Sequence, residues 1–301
     1  MCAARWRIAG EKFDKISVYR FMAASEKANQ KMFSIILATY NCGQKVENTL
    51  QSIFSQNREL FELIVFDGAS TDDTLNFLRK YESDLTLISE KDKGVYDAFN
   101  KGIDLAAGKY IYFIGAGDCL RPDVLEQVVK FLPPETPSFV YGSSYLMKQK
   151  VVWMDRAFNI PNFFCENICH QSIFYHRSIF DIIGKYDARY KIAADWFFNL
   201  KCFTNREINK QFIPHIIADF EEGGLSSELD NDIEFQKDFP RLLKRHLGIT
   251  SYLKRKAFVK NPELYVLSYK ICDAFMKPVV YFARPYFHGY KYLKKAVGKK
   301  I

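Results

Sequence analysis

The sequence predicts an α/β protein with a mainly parallel central sheet covered by helices on both faces, and three observations carry that prediction. Short apolar runs alternate with segments whose apolar residues recur at helical spacing. Polar clusters follow the carboxyl ends of those runs, where sheets of this kind place their ligands. The chain has 301 residues and 48% hydrophobic content, enough for one large α/β core or two modest ones.

The elements follow in order. FSIILA at 33–38 reads as a strand, and VENTLQSIF reads as a helix because Val46, Leu50, Ile53 and Phe54 share one face. FELIVF at 61–66 is a second strand. It runs into the turn-rich DGASTDDT and a helix carrying Leu75, Phe77 and Leu78. LTLIS is a third strand, Gly94 to Ala106 a helix, and YIYFI at 110–114 a fourth strand. Pro122 stands where a first-turn proline is tolerated, ahead of the helix VLEQVVKF. After Pro137 longer strand-like pieces (SFVYG, KVVWM, SIFYH) alternate with loops, before a helix near Asp195 to Phe203 and a strand around Phe212 to Phe220. This divides the chain into an N-terminal extension (1–31), a main domain (32–240) with two halves (32–136 and 137–240), and a tail (241–301). Met32 sits directly before the first strand, so a translation start there and a helical extension around Val18 to Ala28 stand as alternatives.

Composition narrows the function classes. No run approaches the roughly 18 to 20 apolar residues that span a bilayer, and no signal-peptide core is visible, which places the chain in the cytoplasm by expectation. Seven scattered cysteines suit reduced thiols. Cys165, Cys169 and His170 lack a second ligand pair at finger spacing, so zinc is not expected. From Arg241 onward fifteen Lys and Arg face only Glu263 and Asp273, so the tail carries a net charge of +13 while the first 240 residues carry −5. In YVLSYK and VVYFARPYFHGYKYLKK, aromatic residues interleave with lysine and arginine. That pattern suits an anionic membrane surface, with peripheral attachment to the cytoplasmic face of the inner membrane. Nothing resembles a nucleic-acid module, so no nucleic-acid partner is expected.

Two positions offer chemistry on their own. Thr39, Asp67 and the Gly68 turn bring a carboxylate and backbone groups to neighbouring strand ends, suited to a base and ribose, although the same residues also serve as ordinary turn and cap residues. Asp118 follows an apolar strand and the small residues Gly115, Ala116 and Gly117, which let a ligand or ion approach closely. One carboxylate plus substrate phosphates is a common way to hold Mg²⁺ or Mn²⁺; the other reading of Asp118 is a cap for the following helix.

SIILATYN at 34–41, LIVFDGASTDDT at 63–74, EKDKGVYDAFNKGI at 90–103, YIYFIGAGD at 110–118, CHQSIFY at 169–175 and KIAADWFFNLK at 191–201 together resemble family 2 glycosyltransferases of the GT-A type. The flavour is that of bacterial enzymes of capsule, exopolysaccharide and O-antigen assembly. The resemblance covers residues 33 to 227 and implies the GT-A fold. It further implies that Thr39, Tyr40, Asn41, Asp67 and Gly68 contact the nucleobase and ribose, with Asp67 accepting from N3 of uracil and so favouring a UDP-sugar. Asp92, Tyr96, Asp97, Asn100 and Lys101 match the segment lining nucleotide and donor sugar. Asp118 matches the metal-binding end of a DXD-type motif, with Mg²⁺ or Mn²⁺ as cofactor, and Asp195 matches the general base on the acceptor. His170 and Gln171 match a polar pair on the acceptor side, and Gly223, Gly224 and Ser226 a loop that closes over the diphosphate. One departure stands out: Gly117, not a carboxylate, lies immediately ahead of Asp118.

The implied reaction is an inverting transfer of a sugar from a nucleotide diphosphate to a glycan or lipid-linked acceptor. Two rivals remain at this stage. A catalytically silent nucleotide-sugar-binding subunit would account for the missing DXD carboxylate. A dinucleotide oxidoreductase would share the strand and helix alternation, but Leu120 stands where the third glycine of its fingerprint belongs.

Overall fold

The structure of the protein, a computed structural model, describes residues 30–164, 166–224 and 231–247. Nine strands form one sheet: β1 (Phe33–Thr39), β2 (Phe61–Asp67), β3 (Thr86–Ser89), β4 (Tyr110–Gly115), β5 (Cys119–Leu120), β6 (Ser138–Leu146), β7 (Val151–Trp153), β8 (Ile173–His176) and β9 (Asn209–Phe220). The helices are α1 (Lys45–Phe54), α2 (Thr74–Arg79), α3 (Val95–Leu105), α4 (Val124–Val129), α5 (Ile179–Ile183), α6 (Ala194–Thr204) and α7 (Ile233–Leu247).

The strands lie in the order β3-β2-β1-β4-β8-β6-β9-β5, with β7 paired to β6. The first four strands pair in parallel, as their helical crossovers require. In the second half β8 runs antiparallel to both β4 and β6, whereas β6 and β9 are parallel. The expected α/β architecture therefore holds, with the parallel pairing concentrated among β1 to β4.

Alternation along the strands builds two cores. On β1 and β4, Ile36, Ile111 and Phe113 join one apolar cluster, while Phe33, Ile35, Leu37, Tyr110, Tyr112 and Ile114 join the other. The face of α1 that the heptad-like spacing marks, Val46, Leu50 and Ile53, is fully buried in the second cluster. Phe99 of α3 and Phe198 of α6 enter the first, which is dense in tilted and edge-to-face ring pairs such as Phe99–Phe113 and Tyr186–Phe198.

The structure adjusts several sequence expectations. Pro122 lies ahead of α4 rather than in its first turn, because Asp123 adopts a left-handed conformation (φ 55°) and the helix starts at Val124. Helices α5 and α7 are additions. Phe235 and Phe239 of α7 pack on Trp196, and the helix runs continuously through positions 240 and 241, with Pro240 inside it. The rest of the expected tail and nearly all of 1–31 lie outside the described residues. Among the described residues no helix is long and apolar enough to cross a membrane.

Candidate functional site

Thr39, Asp67 and Ser89 stand in register at the carboxyl ends of β1, β2 and β3. The Asp67 carboxylate is 1% exposed and its oxygens are taken. Thr39 Oγ1 donates to Oδ1 at 3.1 Å, and the Ser70 hydroxyl donates to the same atom. The Ser70 N–H donates to Oδ2 at 2.9 Å and Ser89 Oγ at 2.7 Å. Four donors fill the lone pairs of a carboxylate. Asp67, expected to accept from N3 of uracil, takes these four donors in the structure, and with Thr39 it ties three strand ends together. Asn41 acts similarly: its N–H donates to Ser70 Oγ and its side-chain oxygen accepts the Thr71 N–H at 2.8 Å.

The open surface lies one residue further on. Tyr40 is 65% exposed, and a side-chain carbon on Gly68 would come within 3.0 Å of Asp92 Oδ2 and 3.2 Å of Tyr40 Cδ2. The bare Gly68 backbone thus lets the Tyr40 ring and the Asp92 carboxylate close on it at distances a side chain would not allow. Asp92 Oδ1 accepts the Gly94 N–H, which sets its direction. Alongside, Lys91, Asp92, Lys93, Asp97 and Lys101 line an open depression of about 440 Å³. Lys101 is paired there with Glu90 (2.7 Å) and Asp97 (3.4 Å).

Two residues expected to line the donor do other work. Asn100 exchanges hydrogen bonds with the backbone of Tyr186 in both directions, clamping α3 to the loop before α6. Tyr96 is buried, with its hydroxyl 2.8 Å from the Ile192 carbonyl and 2.9 Å from Asp195 Oδ1.

Asp195 sits in the first turn of α6 and is 8% exposed. Besides Tyr96, the Trp196 N–H donates to Oδ1 at 2.7 Å and Asn167 Nδ2 to Oδ2 at 3.0 Å. Burial pushes the carboxyl up to about 6, and these donors hold it below what burial alone would give. His170 Nδ1 lies 3.9 Å from Oδ2. Burial lowers this imidazole to about 4, so it is neutral at pH 7. Gln171 is buried, with its side-chain amide nitrogen lacking a hydrogen-bond partner, so of the expected acceptor-side pair only His170 adjoins Asp195. The α6 start is held from α7: Asp232 Oδ2 accepts the N–H groups of Ile192 (2.7 Å) and Ala193 (3.0 Å).

Asp118 follows β4 and is 6% exposed. Its Oδ1 accepts the Glu221 N–H at 2.9 Å. Burial pushes its carboxyl up to about 7, with the Glu221 charge adding to the rise. Gly117 (φ 103°) leaves the space that a side chain would fill to Glu221 Oε2, while Glu221 Oε1 pairs with Lys45 at 2.9 Å. Glu221, Asn167 and Asp232 went unread in the sequence because each acts across a long chain separation.

Burial pushes the Cys169 thiol up to about 12, with the charges of Asp118 and Asp195 adding to the rise. Gly223 and Gly224 continue from Glu221 on an open surface, and Ser226 lies outside the described residues. Among the described residues no three His, Cys, Asp or Glu form a complete metal cage. Asp118 and Glu221 offer hard oxygen ligands for part of a shell, the arrangement Mg²⁺ and Mn²⁺ accept when phosphates and water supply the rest.

Comparisons with known proteins agree with this architecture. Residues 34–193 match the model of glycosyl transferase family 2. A PGL/p-HBAD biosynthesis glycosyltransferase of Mycobacterium bovis (strain BCG / Pasteur 1173P2) is 39% identical over 226 residues, covering 72% of this chain and 87% of the relative. A putative teichuronic acid biosynthesis glycosyltransferase, TuaG of Bacillus subtilis (strain 168), is 29% identical over 134 residues, 43% of this chain and 53% of that protein. Among solved structures, S. aureus TarS 1-349 in complex with UDP aligns with a TM-score of 0.55 at 19% identity, covering 76% of this chain and 75% of that one. The mannosyltransferase PcManGT of Pyrobaculum calidifontis, in complex with GDP-Man and Mn²⁺, aligns with a TM-score of 0.56 at 18% identity, covering 87% and 89%. These two likenesses establish the fold, and the family match with the mycobacterial relative establishes the lineage: the chain belongs to glycosyl transferase family 2 and is a glycosyltransferase with the GT-A fold.

Proposed function

We propose that this enzyme transfers a sugar, with inversion, from a nucleotide diphosphate to a glycan or lipid-linked acceptor in cell-surface polysaccharide synthesis. The observation that carries the proposal is the pair of buried carboxylates, Asp118 after β4 and Asp195 at the start of α6, each oriented by a main-chain N–H. The solved complexes of TarS with UDP and of PcManGT with GDP-Man support a nucleotide-linked donor.

The base stacks on the exposed face of the Tyr40 ring, beside Asp92. The Asp92 side chain accepts a ring N–H, which uracil, thymine and guanine present and cytosine and adenine do not. We assign UDP as the nucleotide on this basis and on the TarS likeness. The diphosphate lies toward Asp118. There Asp118 and Glu221 would hold Mg²⁺ or Mn²⁺, which when bound supplies positive charge opposite the departing phosphates. Gly117 permits Glu221 to stand where the usual motif carries its own acidic residue.

Asp195 takes the proton of the acceptor hydroxyl as that oxygen bonds to the anomeric carbon. The bond from that carbon to the diphosphate oxygen breaks on the opposite face, releasing the nucleoside diphosphate. A base that loses its proton near pH 6 is ionised at neutral pH yet basic enough to act, a contribution of roughly 10²- to 10⁴-fold. Tyr96 has one hydroxyl proton and two acceptors, so it donates to Ile192 when Asp195 is protonated and is free to turn to Asp195 when it is not.

The test is release of UDP from a panel of UDP-sugars with Mn²⁺, in wild type and in Asp118→Ala and Asp195→Asn. Turnover lost in both variants supports the assignment. Donor binding without turnover in wild type would instead support a silent nucleotide-sugar-binding subunit. Attachment of the 241–301 tail to anionic membrane is a separate part of the proposal, tested by co-sedimentation with vesicles containing anionic lipid.

A further inference from the structure

Asp195 is oriented by a polar chain that passes through the apolar core. The Tyr175 hydroxyl on β8 donates to Asn199 Oδ1 at 2.8 Å. Asn199 Nδ2 donates to Asn167 Oδ1 at 3.0 Å and to the Ile168 carbonyl at 3.3 Å. Asn167 Nδ2 then donates to Asp195 Oδ2 at 3.0 Å. Asn199 is one helical turn after Asp195 on α6, fully buried, and does not touch the carboxylate itself.

The direction of every amide in this chain is fixed by chemistry. A backbone carbonyl can only accept, so the Ile168 oxygen requires the nitrogen of Asn199 to face it. That nitrogen also faces Asn167, which must answer with its oxygen. The remaining end of Asn167, its NH₂, is thereby committed to Asp195. Without Asn199 the Asn167 amide would be free to turn its oxygen toward the carboxylate, a repulsive contact.

We propose that Asn167 is a positioning residue for the general base, its amide locked in the donating orientation by Tyr175, Asn199 and the Ile168 carbonyl. The inference rests on the assignment of Asp195 as the base. It predicts that the relay stabilises the ionised form of Asp195 and fixes the lone pair that receives the acceptor proton. The titratable groups facing Asp195 are Tyr96 on α3, Tyr175 on β8, Tyr186 in the loop before α6, and Cys169 and His170 at the 3-10 turn. Burial raises the phenols and the thiol and lowers the imidazole, so all five are neutral at pH 7 and none changes charge alongside Asp195 between pH 5 and 8.

The experiment uses the full chain in two variants. Asn167→Ala removes the donor from a partly exposed loop. The double variant Tyr175→Phe/Asn199→Leu removes the relay and leaves no hydroxyl orphaned in the core. Two readouts are taken: the pH dependence of UDP release from UDP-glucose, UDP-galactose and UDP-GlcNAc with Mn²⁺, and an infrared titration of the Asp195 carboxyl, taken as the difference from Asp195→Asn. The expected result is an upward shift of the acid limb and of the infrared titration by about one pH unit in Asn167→Ala, and by less in the double variant. Donor KM stays within about threefold, and Asn167→Ser recovers part of the shift through its hydroxyl. A folded variant whose titration stays at the wild-type position overturns the inference, as does a loss of rate equal at every pH. If Asn167→Ala does not fold, the double variant decides by the same criteria. If wild type and Asp195→Asn release UDP equally, the base assignment fails, while the infrared shift still reports on the relay.

Discussion

The main-chain N–H of Glu221 donates to Asp118 Oδ1 at 2.9 Å, joining the turn after β4 to the end of β9 across 103 residues. The contact seats a second carboxylate beside the first. It also explains why Gly117 lacks a side chain, since Glu221 Oε2 occupies that space.

Glu221→Gln therefore weakens the apparent affinity for Mn²⁺ by about 10-fold, with most turnover restored at saturating metal, because Gln keeps the backbone bond and removes only charge. Asp118→Ala is not rescued by metal. Titration of Mn²⁺ against UDP release distinguishes the two; equal Mn²⁺ affinity in Glu221→Gln and wild type would remove Glu221 from the metal site.

Asp195→Asn lowers transfer by roughly 10²- to 10⁴-fold while donor affinity, read by thermal shift, is unchanged. In wild type with saturating divalent cation, which keeps Asp118 ionised, the rate rises as pH increases through about 6 and then levels, because the base works only after losing its proton. A rate that falls through that window would contradict the role.

Asp92→Ala and Tyr40→Ala raise donor KM by about 10-fold with kcat largely kept, since the proposed site sets both against the base and neither at the reacting carbon. The unsubstituted protein is stabilised by UDP more than by CDP, as a carboxylate facing the ring N–H requires. Equal shifts with CDP and UDP would argue against Asp92 as the reader of the base.

Asp67→Ala acts on stability instead. It leaves the Thr39, Ser70 and Ser89 donors without their common acceptor, at a cost of about 1–3 kcal/mol for each group left buried and unpaired. Asp232→Ala strips the Ile192 and Ala193 N–H groups in the same way and loosens the start of α6. Chemical denaturation measures both, and a melting midpoint equal to wild type in either variant would contradict the assigned role.

How much of the site was legible depended on how its residues act. Asp118 and Asp195 stand next to apolar elements inside ordered motifs, and the structure buries both carboxylates. Tyr96 and Asn100 were also flagged, but periodicity cannot tell a polar residue facing a cleft from one facing a buried backbone. The structure shows the second, with Tyr96 reaching Ile192 and Asp195 and Asn100 clamped to Tyr186.

By itself the sequence determined the order and kind of the elements, since local spacing of apolar residues sets which face each strand or helix must bury. It also identified the family through six ordered motifs. Only the tertiary structure decided which carboxylates are spent on holding strands together and which remain for chemistry. Hydrogen-bond saturation, as at Asp67, and the pairing of Glu221 with Asp118 arise from residues far apart in the chain, and the geometry that unites them exists only after the sheet has closed.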